Sequence, residues 1–301
     1  MSAPLPPSPP PFETAHEGPF EALDAGQLRA RLPADVRSRI RRLEAEWSVD
    51  STNAVLLARA DLPPGECDVL LAEFQSAGRG RRGRAWLAPP GGAICLSLGW
   101  CFAHTPRDLP ALGLMVGVCA LQALERELPW KLPSRPEVGT RPRLKWPNDL
   151  VVDRRKLGGI LVERRADGAG CAQVVIGIGV NVALPDALRA QVAATGTEPV
   201  DLAELGIEPS RRAAVVAGLI ECIVRGLPRF EAEGLGSCIE DWRRADVLRG
   251  RSVRVQLEGE VVRGTARGID ADGALMVETA QGMRRFVSGE VTVRPEDLER
   301  A

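Results

Sequence analysis

The sequence has little lysine and no tyrosine, and these shortages narrow the classes of function. Of its 39 basic residues only three are lysines, namely Lys131, Lys145 and Lys156. The net charge is −1, so no overall field favours nucleic acid or a membrane surface. Aromatic residues make up only 4% of the 301 residues, which leaves few platforms for stacking bases. Any anion binding must therefore come from local clustering of charge.

The scarcity of lysine leaves two interpretations of the three that remain. A lysine ammonium is a compact point charge that the planar guanidinium of arginine does not replace. The retained lysines are therefore either functional or present by chance, and composition alone does not decide between these.

The spacing of the cysteines and histidines also argues against a metal site and against a disulfide framework. The seven cysteines form no C-x-x-C pair, and the two histidines, His16 and His104, do not join several cysteines or acidic residues at metal-ligand spacing. This spacing is typical neither of a disulfide framework nor of a zinc site. We predict no metal-ligating residues and interpret the cysteines as small buried hydrophobic residues in a reducing compartment.

Targeting and membrane signals are absent from the sequence pattern. The first 20 residues have no basic region followed by an apolar region, as a signal peptide would. No apolar run reaches the length of a membrane span. The sequence therefore predicts a cytoplasmic protein without a membrane partner.

Composition divides the chain into three parts. Residues 1–25 form a Pro-rich segment that we predict to be a disordered tail. Residues 26–248 carry the candidate functional motifs. Residues 249–301 contain about five short strand-like runs with Gly-rich turns, which is typical of a small β-barrel of SH3-like size. Too little chain precedes the central part for a DNA-reading helix-turn-helix module, so no DNA binding is expected.

The central part predicts helices and an antiparallel meander. Residues 34–46 are charged and helical in pattern, and 109–128 form an apolar, Ala-rich helix. Residues 143–182 hold four strand-like runs separated by turn signals, which predicts antiparallel neighbours. Ser210 is predicted to cap a helix with an apolar stripe. Residues 129–142 hold four prolines and indicate a surface loop.

The most specific motif is the run from Gly78 to Arg84, in which three glycines are interspersed with four arginines. Glycine exposes backbone N–H groups, and arginine adds paired donors for carboxylate and phosphate. Such a loop suits a site where two anions must meet. The alternatives are a solvated basic loop and an RGG-type nucleic-acid contact. The strands predicted on either side argue against a disordered RGG segment.

Three further motifs follow in the meander. Lys145 ends a strand before a Pro-Asn-Asp turn, where its ammonium could reach a carbonyl oxygen and a phosphate together, or could simply be solvated. Gly158 and Gly159 interrupt a strand, which indicates close approach of a ligand or backbone, or a bulge. Asn181, after Gly177-Ile178-Gly179-Val180, could hydrogen-bond a base edge or could end its strand.

Taken together and in this order, the motifs resemble the biotin–protein ligases. The matching pieces are Ser51-Thr52-Asn53, the strand ending in Gln75, the GRGRRGR loop, Trp86, KWPND, KLGGILVE and GIGVN. The resemblance runs from about Trp47 to Pro295. It implies an α+β fold, with a mixed, largely antiparallel sheet, packed helices and a small C-terminal SH3-like β-barrel. The nearest alternative is a lipoate–protein ligase, which shares the adenylating architecture.

The resemblance also implies roles for residues at the matching positions. Lys145 and Arg81 would be catalytic. Trp86 would pack over the adenine ring, and Asn181 would hydrogen-bond the edge of that base. The implied biotin-binding residues are Ser51, Thr52, Asn53, Gln75, Arg79, Gly80, Arg81, Lys145, Gly158, Gly159 and Gly177. The implied ATP- or adenylate-binding residues are Arg79, Arg81, Arg82, Arg84, Trp86, Lys145, Asn148 and Asn181.

The implied reaction has two steps. Biotin and ATP, with Mg²⁺, would give biotinyl-AMP, and a lysine on the biotin carboxyl carrier domain of a carboxylase would then take up the biotinyl group. No covalent enzyme intermediate is required, which agrees with the lack of a placed nucleophile. A homodimer is compatible with the resemblance, and the role of the Pro-rich segment 129–142 stays open.

Overall fold

The structure is a computed structural model, and it describes residues 20–59, 61–128, 141–165, 172–194, 196, 198–257, 260–287 and 292–295. The predicted disordered tail up to residue 19 and most of the predicted loop 129–142, with Lys131, lie outside the described residues. Cys171 also lies outside them.

Seven α-helices and twelve strands occur in the described residues. The helices are α1 (Ala25–Arg31), α2 (Ala34–Arg37), α3 (Thr52–Leu57), α4 (Leu112–Glu127), α5 (Asp186–Ala193), α6 (Arg212–Glu233) and α7 (Ile239–Ala245). The strands of the larger sheet are β1 (Ile40–Val49), β2 (Cys67–Gln75), β3 (Ala93–Phe102), β4 (Pro142–Lys145), β5 (Asp149–Val152), β6 (Arg155–Arg164) and β7 (Ala172–Asn181). The C-terminal strands are β8 (Ser252–Gln256), β9 (Val261–Ile269), β10 (Leu275–Thr279), β11 (Gly282–Phe286) and β12 (Thr292–Pro295).

The two sheets have the predicted character. The larger sheet has the order β1-β2-β3-β7-β6-β5-β4, and only the β1–β2 pair is parallel. Its last four strands are the predicted meander, and each pairs with its sequence neighbour because the turns between them are short. The smaller sheet has the order β11-β10-β9-β8-β12 and is antiparallel throughout. The expectation of a mixed, largely antiparallel fold with a small C-terminal β unit is confirmed.

Helices α4 and α6 cover one face of the larger sheet. The predicted apolar stripe of α6 is confirmed, because its members are fully buried: Val215, Val216, Leu219, Ile220, Ile223, Val224 and Leu227. The prediction that no apolar run reaches the length of a membrane span is wrong by length and composition, because the segment Leu109–Glu127, which contains α4, is long and apolar enough. However, 67% of its apolar window is buried inside the protein. Its apolar character is therefore explained by packing against the sheet and α6.

Two sequence predictions are wrong in this part of the fold. The charged segment 34–46 is not one helix, because α2 ends at Arg37 and β1 begins at Ile40. Its charges are accommodated at the sheet edge, where Arg41 pairs with the buried Asp68 at 3.0 Å, and pairing with β2 overrides helical propensity. Ser210 is not an N-cap, because it lies in a 3₁₀ turn and its hydroxyl donates to Glu208.

The cysteine prediction is confirmed for the residues described. Six cysteines are free and buried. Burial raises the pKa of the Cys67 thiol and of the Cys95 thiol to about 12, so both are neutral near pH 7.

Candidate active site

The face of the larger sheet opposite α4 and α6 carries small residues at its centre. Gly177 and Gly179 of β7 lie on this face, and their Cα atoms are about 7 Å apart along the strand. A Cβ at Gly177 would overlap the side-chain amide of Asn53, and one at Gly179 would overlap the indole of Trp86. The two glycines therefore let Asn53 and Trp86 lie directly on the sheet, and we call the sheet surface from one of these side chains to the other the slot.

Helix α3 begins at one end of this slot. Ser51 is its N-cap, and the Ser51 hydroxyl accepts a hydrogen bond from Ala54 N at 3.5 Å. Thr52 and Asn53 form the first turn, and all three residues are almost completely buried. The cap thus fixes two polar side chains against the sheet.

A buried polar network extends from this first turn. Gln75 Oε1 accepts from Thr52 N at 2.9 Å and lies 3.1 Å from the Thr52 hydroxyl. The Ser97 hydroxyl lies 2.7 Å from Thr52 Oγ1 and 2.6 Å from Asn53 Oδ1. Asn53 Nδ2 donates to Glu163 Oε2 at 2.7 Å. This network, defined by Gln75, Thr52, Ser97, Asn53 and Glu163, presents amide, hydroxyl and carboxylate groups together.

The Gly/Arg loop between β2 and β3 folds back as a tight hairpin. Gly80 N donates to Arg84 O at 2.6 Å, and Trp86 N donates to Gly78 O at 2.9 Å. Arg82 and Gly83 have φ of 58° and 72°, so the tip is left-handed. Glycine adopts that conformation without cost, and an arginine there is uncommon. The predicted loop between two strands is confirmed, with Trp86 at its base.

The four arginine side chains of this loop differ in how far they are buried. The side chains of Arg79, Arg82 and Arg84 are exposed, whereas Arg81 is half-buried. Arg81 Nη1 donates to Asn148 Oδ1 at 3.3 Å. Burial, followed by the neighbouring charge of Arg82, lowers the pKa of the Arg81 guanidinium from its ordinary value. The structure therefore brings Arg81 to the KWPND turn and leaves the other three at the surface.

Two of the three lysines meet at the KWPND turn. Lys156 Nζ lies 2.7 Å from Asp149 Oδ1, and Lys145 Nζ lies 3.9 Å from Asp149 Oδ2. Asn148 Nδ2 donates to Ile160 O at 2.8 Å, which holds the turn against β6. These contacts form a cation cluster, which we define as Arg81, Lys145 and Lys156 around Asp149.

The cation cluster and the polar network lie at opposite ends of one strand. Gly159 borders the cluster, since a Cβ there would lie 3.4 Å from Lys156 Nζ. Glu163 belongs to the network and is four residues further along β6. That separation is about 13 Å in an extended strand. The slot therefore has a hydrogen-bonding end and a cationic end.

Two of the predicted site residues have structural contacts of their own. A Cβ at Gly158 would lie 2.5 Å from Gly179 O, so this glycine permits close approach of β7. A bulge in the β5–β6 pairing lies beside it, so the backbone-approach and bulge interpretations both apply. Asn181 Nδ2 donates to Val200 O at 2.9 Å and to Lys156 O at 3.1 Å, which ties the end of β7 to the following loop.

The structure adds residues that the sequence motifs did not single out. Ser97 lies at the centre of the polar network, and its position follows from its pairing with Gly177 across β3 and β7. Glu163 and Lys156 stand inside the KLGGILVE motif, and the strand period of two would have placed Gly159 and Glu163 on one face. Gly179 belongs to the GIGVN motif. Within the described part of the chain, no three acidic, histidine or cysteine side chains cluster as a metal site would require.

Comparison with known proteins gives the family. Residues 48–181 match the Biotin/lipoate A/B protein ligase family, and residues 249–294 match the Biotin protein ligase C terminal domain. The Escherichia coli K12 protein named Bifunctional ligase/repressor BirA is 35% identical over 247 residues, which are 82% of this chain and 72% of that protein. The Mycobacterium tuberculosis H37Rv protein named Biotin–[acetyl-CoA-carboxylase] ligase is 33% identical over 262 residues, 85% of this chain and 90% of that protein.

Solved structures show the same fold. The biotin protein ligase from Aquifex aeolicus, solved in complex with biotin and ATP, superposes with a TM-score of 0.66. It covers 86% of this chain and 99% of its own chain at 24% sequence identity. The two domain matches, the relatives above 30% identity and this fold agree with the geometry of the slot: the chain belongs to the biotin protein ligase family.

Proposed function

We propose that this protein activates biotin with ATP as biotinyl-AMP and transfers the biotinyl group to a lysine of a biotin carboxyl carrier domain. The acceptor would be of the acetyl-CoA carboxylase type, as in the names of relatives from Mycobacterium tuberculosis and Paracoccus denitrificans. The reaction class is that of a carbon–nitrogen ligase that forms AMP.

The observation that carries the proposal is the polarity of the slot. Its hydrogen-bonding end holds the network around Ser97, and its other end holds the cation cluster around Asp149. Biotin has a ureido ring that both donates and accepts, and a valeryl chain that ends in a carboxylate. A dithiolane ring, as in lipoate, offers these hydroxyl, amide and carboxylate groups neither the N–H donors nor the carbonyl acceptor that a ureido ring offers. The slot therefore favours biotin over lipoate.

The proposed biotin contacts follow this polarity. The side chains of the polar network and Ser51 would face the ureido ring. The glycines on this face of the sheet would form the floor of the slot. Arg81 and Lys145 would hold the carboxylate end. The proposed biotin-binding set is Ser51, Thr52, Asn53, Gln75, Arg79, Gly80, Arg81, Lys145, Gly158, Gly159 and Gly177, with Ser97 and Gly179 added. Gly158 would act through the close approach of β7 to β6 rather than by direct contact.

The nucleotide would occupy the cationic end. The Trp86 indole lies against Gly179 and is only partly buried, so it leaves ring surface for stacking on adenine. Asn181 uses its amide nitrogen within the protein, so its Oδ1 is the atom that would accept from the adenine amino group. Arg79, Arg82, Arg84 and Asn148 complete the proposed adenylate set, and the three exposed arginines would turn inward when the anions bind.

The first chemical step requires two anions to touch. The biotin carboxylate attacks the α-phosphate of ATP, the bond to the β-phosphate oxygen breaks, and pyrophosphate leaves. Arg81 and Lys145 offset the repulsion between the anions and stabilise the charge that develops between them. In the second step, the acceptor amine attacks the mixed anhydride and AMP leaves.

Covalent catalysis by the protein is not part of the proposal. Cys95 is the described cysteine beside the slot, packed against Trp86. Burial raises the pKa of its thiol to about 12, so thiolate is scarce near pH 7. The work is therefore positioning and charge stabilisation.

Magnesium would arrive with the nucleotide. The acidic side chain of the cation cluster, Asp149, already contacts two ammonium groups. The described residues thus offer no cage for a divalent cation, and the triphosphate and water would be its ligands. We derive no step from a protein-bound metal.

Three further expectations belong to the proposal. The protein would work in the cytoplasm, would not bind operator DNA, and could act as a homodimer. Residues 26–248 would form the catalytic domain and residues 249–301 the SH3-like module. The start of β8 at Ser252 supports that division.

The decisive experiment is exchange of labelled pyrophosphate into ATP by the purified protein. We expect exchange with biotin and none with lipoate at the same concentration. Exchange driven by lipoate but not by biotin would reverse the choice of substrate. Transfer to a purified carrier domain would then be followed by mass spectrometry.

A matched variant tests whether the cation cluster is the catalytic centre. Lys145→Arg keeps the charge and loses the compact ammonium, so exchange should fall by at least about 100-fold. The circular dichroism spectrum and the melting temperature should stay unchanged. Normal exchange by this variant would mean that the centre lies elsewhere.

A further inference from the structure

The strand that carries Lys145 is short, and one of its two edges is held by the C-terminal third of the chain. β4 has four residues and pairs on one side with β5. On its other side, Leu144 forms a parallel bridge with Asp246, and Leu144 O accepts a hydrogen bond from Val247 N at 3.0 Å. Such a short edge strand has few ladder bonds of its own, so its position depends on this second partner.

Arg143, two residues before Lys145, joins β4 to the end of α7. Its guanidinium donates to the carbonyl oxygens of Arg244 at 3.1 Å, Ala245 at 3.3 Å and Asp246 at 2.9 Å. The last carbonyls of a helix lack partners within the helix, and the helix dipole favours a cation there. Because the Arg143 side chain is exposed, these contacts hold the strand rather than fill the core.

Trp146 anchors the other side of Lys145. Its indole Nε1 donates to Gly273 O at 3.0 Å, and the side chain is buried. Gly273 lies in the turn between β9 and β10, against Ala111 and Leu114. Lys145 therefore lies between two anchored residues. The Arg143 side chain binds carbonyl oxygens at the end of α7, and the Trp146 indole donates to Gly273 O next to the C-terminal sheet.

We infer that Arg143 is a positioning residue for adenylation, which sets the location of the Lys145 ammonium by clamping β4 to the carboxyl end of α7. The inference rests on the proposed function, because that function gives Lys145 its role. Lys145 Nζ lies 3.9 Å from Asp149 Oδ2, so a small movement of β4 changes this geometry. Misplacement of a catalytic group by about 1 Å can cost about 100-fold in rate.

Kinetics of Arg143→Gln test the inference, with Arg141→Gln as the matched control. Arg141 is exposed, lies at the entrance to the same strand and undergoes the same change of charge. For Arg143→Gln, kcat of biotin-dependent pyrophosphate exchange should fall at least about tenfold. KM for biotin and for ATP should stay within about twofold, since the lost contact acts on the transition state. Arg143→Lys, which reaches fewer carbonyls, should recover part of kcat.

The scarcity of lysine offers a direct view of the ammonium. Reductive methylation with ¹³C-formaldehyde labels the three lysines and the N-terminus, and Lys→Arg variants assign their signals. In Arg143→Gln, the Lys145 signal should shift while the Lys131 signal stays in place. In Arg141→Gln, neither signal should move.

Two results would overturn the inference. One is an Arg143→Gln kcat equal to that of Arg141→Gln, and the other is an unmoved Lys145 signal. Absence of biotin-dependent exchange in the unaltered protein would instead refute the proposed function, and the methyl signals would still decide whether Arg143 positions Lys145. The second result includes the case in which kcat and the melting temperature fall together while the Lys145 signal stays in place. The substitution has then destabilised the protein, and Arg143 does not position Lys145.

Discussion

Gly177 shows how one missing side chain shapes the slot. Its Cα hydrogen faces the Asn53 amide, which in turn bonds the Ser97 hydroxyl and the Glu163 carboxylate. A methyl group at this position would need the space that the Asn53 side chain occupies. The glycine therefore orients the polar network without contributing a polar atom.

Gly177→Ala should weaken biotin binding selectively. The added Cβ would displace Asn53 and break its bonds at the hydrogen-bonding end, so KM for biotin should rise at least about tenfold. KM for ATP should change little, because the cation cluster borders Gly159, which pairs with Gly179 and lies about 7 Å along the strand from the position opposite Gly177. Pyrophosphate exchange at varied biotin and ATP measures both constants.

Gly236→Ala is the control for this substitution. A Cβ at Gly236 meets nothing within 4 Å, and its φ lies outside the left-handed region. Its kinetics should match those of the unaltered protein. A biotin KM for Gly177→Ala within twofold of the control would show that Asn53 is not needed for biotin.

The Gly/Arg loop is the element that we predict to respond to ligand. Its hairpin is closed by few backbone bonds, and three of its guanidinium groups are exposed. Repulsion among these like charges opposes a closed loop, whereas an anionic intermediate between them would favour it. The loop should therefore be more ordered with adenylate than without ligand.

Hydrogen exchange measures this ordering. Amide exchange in residues 78–84 should slow at least about tenfold when biotin and ATP are added together, because the loop then closes on biotinyl-AMP. Biotin alone, which carries one negative charge, should have a smaller effect. The turn at 270–274, which holds no proposed ligand contact, serves as the internal control. Equal exchange rates of residues 78–84 in all three states would refute loop closure.

Sequence patterns predicted most elements of this fold, and the failure at β1 has a physical cause. The meander, the helix 109–128 and the stripe of α6 have strong periodicity and short turns, so local information suffices. β1 is an edge strand whose Leu43 and Ala45 are only partly buried, and its charged residues alternate poorly. Its strand conformation comes from parallel pairing with β2, which is distant in sequence.

At the scale of the whole molecule, Asp246 lies at the junction of the two sheets. It is 3% exposed, its Oδ1 accepts from Leu248 N at 2.8 Å, and its Oδ2 has no hydrogen-bond partner. Burial raises the pKa of this carboxyl to about 6, against the opposing effects of the Leu248 N–H and Arg143. The folded chain therefore holds this proton more tightly than the unfolded chain does.

Asp246→Asn should remove a pH dependence of stability. With the pKa raised from 3.8 to about 6, this group makes the unaltered protein less stable as pH rises through that range. The free energy of unfolding of the variant, relative to the unaltered protein, should therefore improve by about 2 kcal/mol between pH 4 and pH 7.5. Urea unfolding at both values measures the difference.

Asp153→Asn provides the comparison for that experiment. Asp153 is exposed and has a φ of 57°, a conformation that asparagine also tolerates. This variant therefore measures the effect of removing an exposed carboxyl on the free energy of unfolding at the same two pH values. If Asp246→Asn behaves like Asp153→Asn, the junction carboxyl is not held in its neutral form.

Local patterns in the chain, taken together with the family that they resemble, predicted the chemistry: the Gly/Arg run, KWPND and the glycine pairs indicate which groups would meet the anions. They also predicted the division between a mixed sheet and a small C-terminal β unit, because turn and period signals are local. The sequence could not show that Arg81 alone of four arginines reaches Asn148, or that Ser97 joins Thr52 to Asn53. Those contacts span more than 40 residues and depend on strand register and burial, which only the packed sheet decides.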